Sequence, residues 1–192
     1  MKIVILGSGE GTNCKAILDA SNSGLLGDIE ITAVCSDNSN SGILEIAKQA
    51  AIPHSYLGSY NPTDAIDSNR WIDEIKKYSP DLIVLAGFMK ILNSEFIKSF
   101  NSQIINLHPS LLPSFRGLHA IKQAWDAGVK ITGCTVHWVT PLLDCGPIIA
   151  QAPVRVMPSD TLDSITAKVK AVEHMLLPSV IGELALSFQS ND

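Results

Sequence analysis

A chain of 192 residues that is 46% hydrophobic and 17% charged has the composition of a compact globular protein. At this length folding should bury roughly 70% of the surface that the unfolded chain exposes. The net charge of −5, with 14 basic residues scattered rather than run together, argues against a nucleic-acid surface, so anionic ligands must be held by local features.

The longest strongly apolar run, 82–89, is far short of the ~20 residues of a membrane span, and residues 2–6 are too short for the apolar region of a secretory signal. No membrane segment is expected, and the cytoplasm is the expected compartment. Cys14, Cys35, Cys134 and Cys145 include no Cys-x-x-Cys pair, so free thiols are expected rather than a zinc ribbon or a redox dithiol.

Residues 2–6 are a short β-branched apolar run that predicts a strand. It stops at Gly7-Ser-Gly-Glu-Gly11, after which Thr12 and Asn13 are placed to cap a helix through Ala20. Further strands are expected at 29–35, 82–86 and 103–107, separated by helices at 42–50, 63–78 and 94–100. Alternating strands and helices imply a parallel sheet with helices on both faces. The β-rich stretches 129–139 and 147–156 are joined only by a loop at 140–146, which suits an antiparallel pair at one edge. A last helix, 161–186, closes the chain, with Pro178 expected to kink or break it. The whole reads as one α/β domain with no internal repeat and with disorder confined to the terminal Ser190-Asn191-Asp192.

Three features can carry chemistry. The glycines before Thr12 let backbone amides approach a ligand, and a helix start offers free N–H groups to an anion, so Gly11, Thr12 and Asn13 suit a phosphate. An ordinary tight turn fits the same residues. So does a nicotinamide site with Asp37 as ribose-binding acid, although the glycines fall as G-x-G-x-G rather than G-x-G-x-x-G.

In Ile104-Ile-Asn-Leu-His-Pro-Ser-Leu-Leu-Pro113, alternation places Asn106 and His108 on one strand face, and Pro109 ends the strand beside them. An amide and an imidazole at a strand's C-terminal end suit a reaction at a carbonyl, one holding the oxyanion and the other moving protons. A satisfied core histidine with an asparagine at a turn is the plainer alternative. Asp144, on the 140–146 loop, would favour the imidazolium of His108 if the fold brings them together. Cys145 beside it raises a Cys/His nucleophile, with nothing to mark its thiolate as stabilised. His119 is expected to open a helix, and His137 lies in a strand. Either can orient the other groups. His54 and His174 read as structural.

Together the Gly-Ser-Gly-Glu-Gly-Thr-Asn start, Ala86-Gly-Phe-Met-Lys-Ile-Leu92, Asn106-Leu-His-Pro-Ser-Leu-Leu-Pro113, Gly117-Leu-His119, Gly133-Cys-Thr-Val-His137 and Leu143-Asp-Cys-Gly-Pro-Ile-Ile149 resemble the phosphoribosylglycinamide formyltransferase family over essentially the whole chain. The resemblance implies a Rossmann-like formyltransferase fold, mostly parallel with an antiparallel C-terminal edge. It also implies transfer of a formyl group from 10-formyltetrahydrofolate, as co-substrate, to the amine of glycinamide ribonucleotide in purine synthesis. Catalysis would fall to Asn106, His108 and Asp144. Ribonucleotide binding would fall to Gly11, Thr12, Asn13, Lys170 and Glu173, in the N-terminal half and the last helix. Folate binding would fall to Met89, Lys90, Ile91, Leu92, Asn106, Thr140, Pro141, Leu142, Leu143 and Asp144.

The implied reaction is direct attack of the neutral amine on the formyl carbon, with no metal, no nucleic-acid or membrane partner, and a monomer or homodimer. The chain departs from the family in having Asp64 where members carry a folate-contacting Arg, and Lys170 where some have Gln. Related transferases with added RNA-binding or regulatory domains do not fit in 192 residues. A sugar-nucleotide N-formyltransferase and a nucleotide-binding module without catalysis remain as alternatives.

Overall fold

The structure, a computed structural model, describes residues 1–101 and 103–189, so the disorder expected at Ser190-Asn191-Asp192 falls outside the described residues. The chain runs β1 (Lys2–Leu6), α1 (Thr12–Asn22), β2 (Glu30–Ser36), α2 (Gly42–Gln49), β3 (His54–Tyr56), α3 (Ala65–Lys76), β4 (Leu82–Leu85), α4 (Ser94–Ser99), β5 (Ile104–His108), α5 (Ala120–Asp126), β6 (Ile131–Trp138), β7 (Ile148–Arg155) and α6 (Leu162–Gln189). The described strands form one sheet in the order β3-β2-β1-β4-β5-β6-β7. Pairing is parallel from β3 to β5 and antiparallel for β5 with β6 and β6 with β7.

Strand alternation sorts the core onto the two faces. Ile3 and Ile5 of β1, with Leu82 and Val84 of β4, join the cluster under α1, α2 and α6. Their neighbours Val4, Leu6, Ile83 and Leu85 join Trp71, Phe96 and Ile97 under α3 and α4. The central strands are therefore buried on both sides, as parallel strands between helical layers must be.

Three expectations about the elements are corrected. The first helix is not capped by Thr12 or Asn13: Gly11 is its N-cap, without a side-chain cap bond, in a left-handed conformation (φ 82°). A Cβ there would lie 2.7 Å from the Cα of Ile43, so glycine is required by both φ and space. The helix expected at 63–78 is the shorter Ala65–Lys76, because Asp64 caps it by accepting from the Ile66 N–H at 2.8 Å. Pro178 does not break α6, which runs on as one helix from Leu162 to Gln189. Buried Leu177 before the proline and Val180 and Ile181 after it keep both halves packed on the same cluster.

By length and composition Leu162–Phe188 is a helix that would suit a membrane. In this fold it packs against α1, α5, β6 and β7, with Ile165 and Val169 also buried in the core.

Candidate active site

The strand order reverses its direction of growth between β1 and β4, and ligands of open parallel sheets bind at the C-terminal ends of strands beside such a switch point. A cleft of about 590 Å³ opens there. Its walls are the glycine loop (Gly9 to Asn13), the segment after β4 (Gly87 to Leu92), the end of β5, the 140–144 loop, and Lys170 and Glu173 of α6. Every residue that the family resemblance assigns to catalysis or binding lines this cleft except Pro141.

Asn106 and His108 leave β5 on the same side, since Ile105 and Leu107 lie in one core cluster and Ile104 in the other. His108 Nε2 donates to the carbonyl of Phe115 at 2.9 Å, and its Nδ1 stands 3.4 Å from Asp144 Oδ2. Both side chains are buried, 6% and 7% exposed, so their interaction is little screened by water. Asp144 has a left-handed backbone (φ 48°), which aspartate and asparagine tolerate better than most residues. Its Oδ2 also accepts the Gly117 N–H at 2.8 Å.

His137 completes the group. Its Nδ1 donates to the carbonyl of Trp138 at 2.9 Å, which leaves Nε2 of the neutral ring to accept from Asn106 Nδ2 at 3.2 Å. Burial, the largest influence, lowers its pKa from the usual 6.5, aided by His108 and opposed by the Trp138 carbonyl and Asp144. The neutral ring fixes which way the Asn106 amide faces. Of the two candidate orienting histidines, His137 therefore touches both Asn106 and Asp144 (3.7 Å from Oδ1). His119 lines the cleft as the N-cap of α5.

At the other end of the cleft Asn13 Nδ2 donates to Glu173 Oε2 at 3.1 Å, and Lys170 pairs with Glu10 at 3.1 Å. Glu10 was not foreseen, and it turns the lysine toward the glycine loop. Burial raises the pKa of Glu173 above the usual 4.5, against the opposing pull of Asn13 and Lys170. The folded chain thus holds a proton that the unfolded chain releases as pH climbs past 4.5, so Glu173 costs stability at neutral pH and not in acid. Glu173→Gln keeps the acceptor for Asn13. It should raise Tm near pH 7 and leave it unchanged near pH 4, read by thermal unfolding across pH. Equal effects at both pH values would contradict the linkage.

Other sequence candidates are accounted for. Asp37, the ribose acid of the nicotinamide reading, has a side chain only 7% exposed and faces Lys90 at 3.8 Å. Cys145 is exposed with its Sγ on the carbonyl of Leu143 at 3.0 Å, and the thiols of Cys14, Cys35 and Cys134 are buried and pushed up to about 12 by burial. Asp64 is the α3 cap, and the next basic residue, Arg70, is taken up by the Ser59 carbonyl (3.0 Å) and Asp67 (2.9 Å). His54 is exposed, its Nδ1 donating to Ile52 O at 2.9 Å, and His174 lies in α6. Among the described residues no group of three or more His, Cys, Asp or Glu is placed to hold a metal ion.

A Rossmann-like sheet with an amide, an imidazole and a carboxylate meeting over a switch-point cleft defines an enzyme architecture suited to transfer at a carbonyl. The chain belongs to the formyl transferase family, whose model matches residues 1–181. It is 42% identical to the phosphoribosylglycinamide formyltransferase of Escherichia coli K12, an alignment covering 96% of this chain and 87% of that one. The human trifunctional purine biosynthetic protein adenosine-3 is 36% identical over 94% of this chain, which spans 18% of that longer protein. Among solved structures, glycinamide ribonucleotide transformylase 1 from Symbiobacterium toebii superposes with a TM-score of 0.92 at 37% identity, covering 97% of this chain and 88% of that one.

Proposed function

We propose that the protein transfers the formyl group of 10-formyltetrahydrofolate to the amine of glycinamide ribonucleotide, in the cytoplasm, as a step of de novo purine synthesis. The observation that carries this reading is the meeting of Asn106, His108 and Asp144 at the end of β5, in a cleft walled by the glycine loop on one side and residues 89–92 on the other. The names of its relatives point to the same chemistry. A nucleotide-binding module without catalysis would have no use for that convergence.

The N-terminal half and α6 hold the ribonucleotide, with its phosphate on Gly11, Thr12 and Asn13 at the start of α1, where unpaired N–H groups and the helix dipole favour an anion. Lys170 and Glu173 face it from α6. The folate lies along Met89 to Leu92 and the 140–144 loop, where exposed Met89, Ile91, Leu142 and Leu143 give an apolar surface for its rings.

The neutral amine attacks the formyl carbon, a C–N bond forms, and the carbonyl electron pair moves to oxygen. One Asn106 N–H is committed to His137, and the other donates to the oxyanion. With Nε2 of His108 on a carbonyl, Nδ1 is the nitrogen that exchanges a proton with the reacting centre beside Asp144. Collapse breaks the bond to the folate nitrogen, which takes a proton as the incoming amine gives one up.

Specific activity toward glycinamide ribonucleotide, measured beside an amino-sugar nucleotide with the same formyl donor, tests the acceptor. Preference for the ribonucleotide is expected, and preference for the sugar nucleotide would replace this reading with a sugar N-formyltransferase. Lys170→Ala should raise the ribonucleotide KM about two- to fivefold, the size of an exposed charge contact of ~0.5–1 kcal/mol, with kcat little changed. An unchanged KM would return Lys170 to the solvated surface.

A further inference from the structure

We infer that Thr135 and Gln151 are positioning residues for His108, acting through the backbone of the loop that follows β5. The inference rests on the proposed role of His108 and adds two side chains that touch no reacting group.

Strand register sets the arrangement. Thr135 of β6 lies directly opposite His108 of β5, and Gln151 of β7 lies directly opposite Thr135. Directly opposed residues share a sheet face, so the three form one row across three strands. The 109–115 loop crosses over this row with Ser110 and Leu112 buried. Buried irregular backbone must find partners for its N–H and C=O groups.

The row supplies them. Thr135 Oγ1 donates to the carbonyl of Ser110 at 2.7 Å and accepts from the Leu112 N–H at 3.1 Å. Gln151 Nε2 donates to the carbonyl of Leu112 at 2.9 Å and to Thr135 Oγ1 at 3.0 Å. Ser110 Oγ carries the restraint onward to the Ser114 carbonyl at 2.6 Å. The next residue, Phe115, is held at φ 56° and presents its carbonyl to His108 Nε2. The loop therefore leaves the row at His108 and returns to it at Phe115, and Thr135 with Gln151 fixes the middle.

The physical consequence concerns the imidazole. Its plane is set by the Phe115 carbonyl on one side and by Asp144 on the other. If the loop slackens, the carbonyl moves and the ring turns with it, taking Nδ1 out of line with Asp144 and the formyl group. A displacement of about 1 Å at a reacting group can cost on the order of 100-fold in rate.

The test compares Thr135→Val, which keeps the shape and removes the hydroxyl, with Thr135→Ser, which keeps the hydroxyl. Gln151→Leu at the exposed sheet edge is a second route that spares the core, and His108→Ala is the reference. Steady-state kinetics with 10-formyltetrahydrofolate and glycinamide ribonucleotide are read beside the ring nitrogen resonances of His108 by NMR. Thr135→Val and Gln151→Leu should lower kcat about 10- to 100-fold with both KM values within about twofold, and should shift the His108 Nε2–H signal. Thr135→Ser should restore both. Wild-type kcat and an unmoved signal in Gln151→Leu, with His108→Ala inactive, would overturn the inference. Should His108→Ala stay fully active, the role of His108 fails, and the NMR signal alone still decides whether the row holds the ring.

Discussion

Asp144→Asn should lower kcat by about 10- to 1,000-fold while the protein keeps its fold. The prediction separates charge from shape. Asparagine tolerates the left-handed backbone of position 144 as aspartate does, and its side-chain oxygen can still accept the Gly117 N–H that Oδ2 now holds at 2.8 Å. What it lacks is the negative charge 3.4 Å from His108 Nδ1. A contact to a charged group is worth about 1.5 to 3 kcal/mol, which sets the scale of the loss. The substitution acts on proton transfer rather than on ground-state binding, so the folate KM should move much less than kcat. Near wild-type kcat would make Asp144 a loop residue that only orders Gly117.

Asn106→Ala should cost about 2.7 to 4 kcal/mol of transition-state stabilisation, a fall of 100- to 1,000-fold in kcat, if its free N–H meets the oxyanion. The same change removes the donor to His137 Nε2 and leaves that buried nitrogen without it. Asn106→Asp therefore serves as the companion variant: it keeps the size, replaces the donor by an acceptor, and should be as inactive as alanine. A variant at Asn106 that loses substrate affinity but keeps kcat would assign the amide to ground-state binding instead.

Of the two positions, Asn106 was legible in the sequence through periodicity, whereas Asp144 was a loop aspartate whose role came from the family resemblance. Period-two alternation in β5 puts residues 106 and 108 on one face whatever the neighbours are, and Pro109 ends the strand beside them. The β–α alternation likewise implied the parallel sheet and both helical layers, and the short 140–146 connection implied the antiparallel edge. β3 carries only three residues, His54–Tyr56, at the sheet edge, too few to show a period. The contacts least visible in the sequence are those made by backbone atoms. The Phe115 carbonyl and the Gly117 N–H hold His108 and Asp144 regardless of residue type. Thr135 and Gln151 meet only because of strand register, which a linear pattern does not specify. Asp64 shows the opposite failure. Read as a missing cation, it is a helix cap whose signal, an aspartate just before the helix, was present in the sequence.

The most direct measurement follows the formyl carbon itself. 10-Formyltetrahydrofolate labelled with carbon-13 at the formyl group is mixed with the purified protein, with and without glycinamide ribonucleotide, and the label is tracked by NMR. One labelled formamide on the ribonucleotide for each tetrahydrofolate released, and no release without the amine, is the predicted result. Label appearing as free formate in the absence of the amine would make the protein a hydrolase and contradict the account.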